Sequence, residues 1–159
     1  MVNIVLEPAS ETIVRTATVD DITAIMNIEN ASFDWFTRFP EIMFIYYLRR
    51  FSDFFFVVLD SSESLVGYTF LEPKRGCGYV MSIAVHPRSR NQGYAELLLE
   101  ALESEGVEKG LAKMKLDVRK SNLAAIELYK KFGFVKVHTK MDYYGPGLDA
   151  LTMEKQLDK

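Results

Sequence analysis

The sequence predicts an α/β (α+β) fold, with a mixed, mostly antiparallel central sheet and helices on both of its faces. The first observation is the order of apolar patterns along the chain, which reads β-α-α-β-β-β-α-β-α-β-β. The second is the length of 159 residues, which fits one domain, residues 1–159, built around a single core.

The first quarter of the chain predicts one strand and two helices. Residues 1–11 show little pattern and are interpreted as a tail or lead-in, and residues 12–16 form a short strand. Thr18 or Asp20 caps a helix that begins near Val19. The apolar positions of that helix follow helical spacing: Ile22, Ile25, Met26 and Phe33. A second helical stretch covers residues 39–51.

Three strands separated by turns are expected next. Residues 54–59 and 65–71 form a hairpin around the polar turn 60–64. Residues 73–78 make another turn, and residues 79–85 form the strand that follows it.

The remaining elements alternate between helices and strands. An amphipathic helix runs to about Lys109 with an apolar stripe, and residues 113–118 form a strand. Ser121 or Asn122 caps the next helix, which Gly133 ends because glycine favours the left-handed conformation found there. Residues 134–141 and 150–153 are the last two strands, joined by 142–149.

Composition excludes several classes of protein. The net charge of −3 argues against nonspecific binding of nucleic acid, which requires a basic surface. A single cysteine, Cys77, excludes an intrachain disulfide and fits a reducing, cytoplasmic location. His86 and His138 show no metal-ligand spacing, so no metal is expected. The sequence contains neither a signal peptide nor an apolar run long enough to span a membrane, so no membrane partner is expected.

The run from Arg90 to Ala95 is the strongest local signal. It joins a predicted strand to a helix N-terminus and carries Gly93. Such a turn directs several backbone N–H groups and the positive end of a helix dipole at one point, where an anion such as a diphosphate would bind. Its spacing, R-x-x-G-x-A, is neither the dinucleotide fingerprint nor the P-loop pattern. The alternative is a connection that uses Gly93 only for its backbone freedom.

The R-x-x-G-x-A turn resembles the acetyl-CoA diphosphate loop of the GNAT superfamily of N-acetyltransferases. A second run is also similar to that superfamily: Asp117-Val118-Arg119-Lys120-Ser121-Asn122, followed by Tyr129 and Gly133. In the family an Asn near the helix start and a Tyr two turns later flank the thioester. The resemblance covers residues 13–153 and implies the GNAT fold, with acetyl-CoA as cofactor.

Two further runs narrow the resemblance to the protein N-terminal (Nα) acetyltransferases. Tyr143-Tyr144, with Asp149 following, is similar to their Tyr pair, which lines the groove for the first residues of the substrate. The alternative is two turn tyrosines that pack on the sheet. Ala31 to Trp35 is similar to the loop that forms the other wall in the bacterial alanine enzyme. The expected groove residues are Phe33, Trp35, Phe36, Tyr143 and Tyr144.

The resemblance implies direct attack of an α-amine of a protein N-terminus on the thioester. Tyr129 would be the general acid, Val85 would pair with pantetheine, and a backbone N–H near Ile83 would be the oxyanion donor. The implied contacts with acetyl-CoA are Ile83, Val85, Arg90, Asn91, Gln92, Gly93, Tyr94, Ala95, Glu96, Asn122 and Tyr129. The partner is a protein or peptide N-terminus, and participation of the ribosome or an auxiliary subunit stays open.

The general base is assigned to an ordered water held by Asp117 and Tyr79. Asp117 stands where family members carry Glu or His, and the alternative is that it pairs with Arg119 or Lys115. Glu29 lies on the apolar helix face as a semi-buried acid, with a catalytic or a structural role. The L-P-E-N pattern of some relatives is absent.

The choice of amine follows from its pKa. An α-amine has a pKa near 7.7–8.0, and about a tenth of it is neutral near pH 7, against well under a hundredth of a lysine side chain. A water held by Asp117 and Tyr79 is a weak base, which suits the α-amine better. The alternatives are an acetyltransferase of small amines or lysine side chains, and a CoA-binding module without turnover.

Overall fold

The computed structural model describes residues 11–158, so most of the expected N-terminal tail lies outside the described residues. The helices are α1 (Ile22–Ser32), α2 (Glu41–Arg50), α3 (Tyr94–Glu108) and α4 (Leu123–Lys131). The strands are β1 (Ile13–Thr16), β2 (Phe55–Leu59), β3 (Leu65–Lys74), β4 (Cys77–Val85), β5 (Lys113–Arg119), β6 (Val135–Lys140) and β7 (Ala150–Gln156). Their order along the chain is the predicted one. Among the described residues, no helix is both long and apolar enough to cross a membrane.

The seven strands form one sheet in the order β1-β2-β3-β4-β5-β7-β6. The pairing of β4 with β5 is parallel, and the other strand pairs within the described residues are antiparallel. This confirms the prediction of a mixed, mostly antiparallel sheet. The parallel pair requires a crossover, which α3 provides between the two strands.

Helices cover both faces of the sheet. On one face α1 and α2 pack on β2 and β3 through Ile25, Phe44 and Tyr68. On the other face α3 and α4 pack on β5 and β7 through Leu102, Ile126 and Met114. The alternation of side chains along a strand explains why one sheet supports two apolar layers.

Several predicted boundaries differ from the structure by a few residues, and the last strand, for example, ends at Gln156 and not at residue 153. The expected turn 73–78 is shorter: Pro73 and Gly78 are paired in the β3–β4 hairpin, and only Arg75 and Gly76 form the turn. Both have positive φ angles, 52° and 77°, which suit a tight hairpin because the turn then matches the twist of the strands.

The first helix also begins later than expected. Residues Val19–Asp21 form a single 3-10 turn, and α1 starts at Ile22. The N–H of Thr18 donates to the carboxylate of Asp21 at 2.8 Å, which caps the turn and fixes where the chain enters the helix. Asp21 is also paired with Arg15 at 2.7 Å.

Candidate active site

A cleft opens where β4 and β5 separate. The two strands are paired only from Cys77–Lys113 to Tyr79–Lys115, although β4 continues to Val85 and β5 to Arg119. Beyond the last pair the strands diverge, and the gap between them leads into a cleft of about 1990 Å³. Its lining includes residues from both faces of the sheet, so two substrates can approach the same gap from opposite sides.

The R-x-x-G-x-A turn lies at one end of this cleft. Asn91 and Gly93 have φ angles of 62° and 85°, and Gly93 is the N-cap of α3. These left-handed residues fold the chain back over the start of the helix, where first-turn N–H groups lack helical partners. Of the residues predicted to bind the diphosphate, all line the cleft except Gln92. The geometry therefore suits an anion at the N-terminus of α3.

The side chain of Arg90 fastens this turn to its surroundings. Its Nε donates to the carbonyl of Val85 at 3.0 Å, and its Nη2 donates to Oγ of Ser32 at 3.3 Å. The turn is thereby connected to the end of β4 and to the last residue of α1.

The free edge of β4 offers main-chain groups to the gap. The N–H of His86 donates to the carbonyl of Val66 in β3 at 2.8 Å. Because successive residues of a strand direct their main-chain groups to alternate sides, the N–H groups of Val85 and Ile83 point away from β3. The β-bulge that leaves Met81 without a partner in β3 lies just before this segment. Bulges of this kind commonly redirect strands beside active sites.

Tyr129 on α4 and Asn122, the residue just before α4, both line the cleft. The Tyr129 ring is 8% exposed, and burial together with the nearby Tyr144 raises the pKa of its hydroxyl well above its ordinary value. Tyr129 is therefore protonated throughout the physiological range and is a permanent donor. Asn122 is the N-cap: its Oδ1 accepts from the N–H of Ala125 at 3.2 Å, which resolves the choice between Ser121 and Asn122.

Asp117 has different partners from those considered in the sequence. Its Oδ2 accepts from Nζ of Lys140 at 2.8 Å, and its Oδ1 accepts from Oγ1 of Thr152 at 2.6 Å. Lys115 pairs with Glu154 instead. The pairing of β5 with β7 places Thr152 opposite Asp117, which explains the second contact. An ionised carboxyl group has about four acceptor sites, so Asp117 retains capacity for a water molecule.

Tyr79 lies on β4 directly across from Lys115, whose Nζ is 5.9 Å from the centre of the tyrosine ring. Its side chain is 38% exposed and lines the cleft. Among the described residues, no direct hydrogen bond joins Tyr79 to Asp117. The predicted sharing of a water between them therefore stays a prediction.

The predicted groove wall is only partly placed on the cleft. Phe33 and Phe36, in the connection between α1 and α2, line it, as do Tyr143 and Tyr144 from the connection between β6 and β7. Trp35 does not, since its side chain is 78% exposed and lies outside the cleft lining. A three-residue turn after α1 directs Trp35 to solvent, where its ring packs edge to face with Phe36 at 5.8 Å between the ring centres.

Glu29 is more deeply buried than the sequence suggested, at 1% exposure, and lines the floor of the cleft. Its Oε1 accepts from the N–H of Phe39 at 3.0 Å, and its Oε2 accepts from the hydroxyl of Tyr68. Burial raises the pKa of its carboxyl to about 7, against the opposing effects of the Phe39 N–H and the Arg38 charge. Glu29 thus joins α1 to β3 and to the start of α2.

Sequence reasoning missed three polar residues of the site: Arg119, Lys140 and Thr152. Arg119 could have been predicted as a site residue, because side chains two residues apart on a strand share a face and Asp117 was already assigned to the site. Lys140 and Thr152 approach Asp117 only through the pairing of three strands, for which the sequence carries no local signal. No group of three potential metal ligands occurs in residues 11–158.

Known proteins share both this fold and much of the sequence. Residues 22–134 match the sequence profile of the Acetyltransferase (GNAT) family. An N-alpha-acetyltransferase from Saccharolobus solfataricus is 33% identical over 90% of this chain and 92% of its own length. N-alpha-acetyltransferase 20 from Dictyostelium discoideum is 32% identical over 93% of this chain and 87% of its own length.

The fold is also shared with a solved structure. The crystal structure of Ard1 from Thermoplasma volcanium has a TM-score of 0.86 and 25% identity, covering 93% of this chain and 99% of that protein. The family profile matches well over half of the chain, and it spans the diphosphate-type turn, β5 and Tyr129. The chain therefore belongs to the GNAT acetyltransferase family.

Proposed function

We propose that this protein transfers the acetyl group of acetyl-CoA to the α-amine of protein N-termini. The observation that carries the proposal is the gap between β4 and β5, which has the glycine-containing start of α3 on one side and Asp117 and Tyr144 on the other. Relatives that are at least 30% identical over most of this chain are named N-alpha-acetyltransferases, which supports the choice of amine.

The fit of acetyl-CoA is supported by the backbone of the turn and of β4. A diphosphate at the start of α3 would accept from the free N–H groups of the first helical turn. Gly93 allows the turn this shape, because its φ of 85° is a left-handed conformation that a residue with a side chain adopts only with strain. The N–H of Val85 would donate to the pantetheine chain, and the N–H of Ile83 would donate to the thioester oxygen.

Bound acetyl-CoA would supply an electrophilic thioester carbon, which the neutral amine would attack directly, with CoA leaving through its sulfur. Tyr129 would donate a hydrogen bond to the departing sulfur and act as its general acid, since its hydroxyl is protonated and lines the cleft, and the hydroxyl would then regain a proton from solvent. The proton released by the amine passes to a water held by Asp117 and Tyr79. An amine of pKa near 7.7–8.0 needs only such a weak base.

Steady-state acetyl transfer to a peptide with a free α-amine tests this proposal. We expect Tyr129→Phe to lower kcat by roughly a hundredfold or more, in the usual range for loss of a general acid. Tyr46→Phe is the matched control, because Tyr46 is an exposed tyrosine on α2 outside the cleft, and it should keep full activity. Equal activity of the two variants would remove Tyr129 from the mechanism. Binding of CoA without transfer to any amine would indicate a module without turnover.

A further inference from the structure

Arg119 occupies a position between the two walls of the proposed peptide groove. It lies on β5 two residues after Asp117, so both side chains project from the same face of the sheet. Its Cζ is 5.7 Å from the ring centre of Phe36 and 5.3 Å from that of Tyr144. These rings come from the α1–α2 and β6–β7 connections, so one guanidinium group contacts both walls.

One nitrogen of this guanidinium group lacks a hydrogen-bond acceptor. Nη2 of Arg119 is buried and has no hydrogen-bond partner within residues 11–158. The carboxylate of Asp34 is the neighbouring anion, but its Oδ2 is 3.6 Å from Nη2, beyond hydrogen-bond length, and Asp34 is mostly exposed. Buried polar atoms without partners are rare in native proteins, and a charged donor is costly to leave unpaired.

We infer that Arg119 binds the substrate, and that Nη2 donates to a main-chain carbonyl oxygen of the first residues of the peptide. This inference rests on the proposed function. A strand advances about 3.3 Å per residue, so Arg119 is about two residues, or roughly 7 Å, beyond Asp117 along β5. An extended peptide covers the same length in two residues. With the amine beside Asp117, the first or second carbonyl lies beside Arg119.

The charges around the groove favour a main-chain carbonyl over an acidic side chain. The cations on β5 and β6 that lie nearest Asp117 already have anions: Lys140 pairs with Asp117, Lys115 with Glu154, and Arg119 has Asp34 at 3.6 Å. These paired charges offer little attraction to a further carboxylate beside Arg119. A main-chain carbonyl is present in every peptide and absent from a simple amine. Arg119 would therefore select peptides over small amines without reading their side chains.

Paired acceptors test the inference. The variant Arg119→Met removes the guanidinium group and keeps an unbranched apolar stem, and Arg49→Met is the control on the exposed surface of α2. The acceptors are a trialanine amide and alaninol, which has the amine and methyl group but no carbonyl. We expect Arg119→Met to lower kcat/KM for the peptide roughly tenfold or more, as for loss of a hydrogen bond with one charged partner. The kcat/KM for alaninol and the KM for acetyl-CoA should stay within about twofold of the wild-type values.

If acetylation of alaninol is too slow to measure, product inhibition provides a second test of the inference. The inhibition constant of the acetylated trialanine product should rise in Arg119→Met, whereas that of free CoA should not. Arg119→Lys keeps the positive charge but loses the planar guanidinium group. Its kcat/KM for the peptide should lie between those of the wild type and Arg119→Met. Unchanged peptide kinetics in a folded variant, or equal losses for peptide and CoA, would overturn the role of Arg119.

Further results distinguish a failure of this inference from a failure of the proposed function. A loss confined to peptides with an acidic second residue would show that Arg119 reads a side chain and not the main chain. Absence of peptide acetylation by the wild-type protein would refute the proposed function itself. Normal peptide acetylation that both Arg119 variants retain would refute the role of Arg119 alone.

Discussion

The buried carboxyl of Glu29 gives a prediction whose size follows from the structure. Glu29 is 1% exposed, and its pKa is raised from 4.5 to about 7, mainly by burial. Between these values the folded protein binds a proton that the unfolded chain has released. Folding stability therefore falls as the pH rises from about 4.5 to 7, and the full cost is present above pH 7.

The magnitude follows from the same two values. At about 1.36 kcal/mol per pH unit, a rise from 4.5 to about 7 corresponds to a cost of about 3 kcal/mol at pH 8. This is an upper value, because the hydroxyl of Tyr68 also donates to the carboxylate and favours its charged form. Glu29→Gln removes the titration but keeps an oxygen that can accept from the N–H of Phe39.

The assay is urea unfolding of the wild type and of Glu29→Gln at several values between pH 4.5 and 8. The difference between the two free energies of unfolding isolates Glu29, because the other titrating groups are common to both proteins. We expect this difference to move in favour of the Gln variant by up to about 3 kcal/mol across the range. Parallel stability curves would refute the reasoning, because they would mean that Glu29 has the same pKa in the folded and the unfolded protein.

Three further substitutions have expected outcomes. Tyr68→Phe removes a hydrogen-bond donor to Glu29 and should destabilise the protein by about 1–3 kcal/mol at pH 8. The loss should be smaller at pH 5, where Glu29 is protonated, and urea unfolding at the two pH values checks this. Gly93→Ala places a Cβ at φ 85° and should cost about 1 kcal/mol and raise KM for acetyl-CoA, with KM for the peptide unchanged as the control. Leu98→Ala empties a fully buried site under α3 and should cost about 2–5 kcal/mol in thermal unfolding, with an unchanged KM for either substrate below the melting temperature.

Local patterns were sufficient to predict the order of elements, because each depends on nearby residues. The stripe of α3, the Asn122 cap and the Gly133 stop lie within a few residues of the boundaries that they set. The hairpin was predicted less well: Pro73 indicated a turn, but Arg75 and Gly76 provide the two positive φ angles and the strands extend up to them. Arg75 and Gly76 lie inside the predicted turn 73–78, so its position was right and its bounds were too wide.

The polar partners within the site required the structure. Lys140 reaches Asp117 across 23 residues of sequence, and Arg90 reaches Ser32 across 58. Such contacts depend on strand order and on the path of the connections, which no local spacing encodes. Trp35 was predicted to line the groove but faces solvent, whereas its neighbour Phe36 lines the cleft. The short turn after α1 sets these directions, and the sequence pattern did not predict that turn.

The central claim, acetylation of protein N-termini, is tested most directly by comparing three acceptors at equal concentration. These are a short peptide with a free α-amine, the same peptide with a blocked α-amine and one lysine, and spermidine. We predict that acetyl transfer from acetyl-CoA is confined to the first acceptor, because near neutral pH only the α-amine is substantially neutral without a strong base. Faster transfer to lysine or spermidine would contradict the proposed substrate and leave the fold and family unchanged.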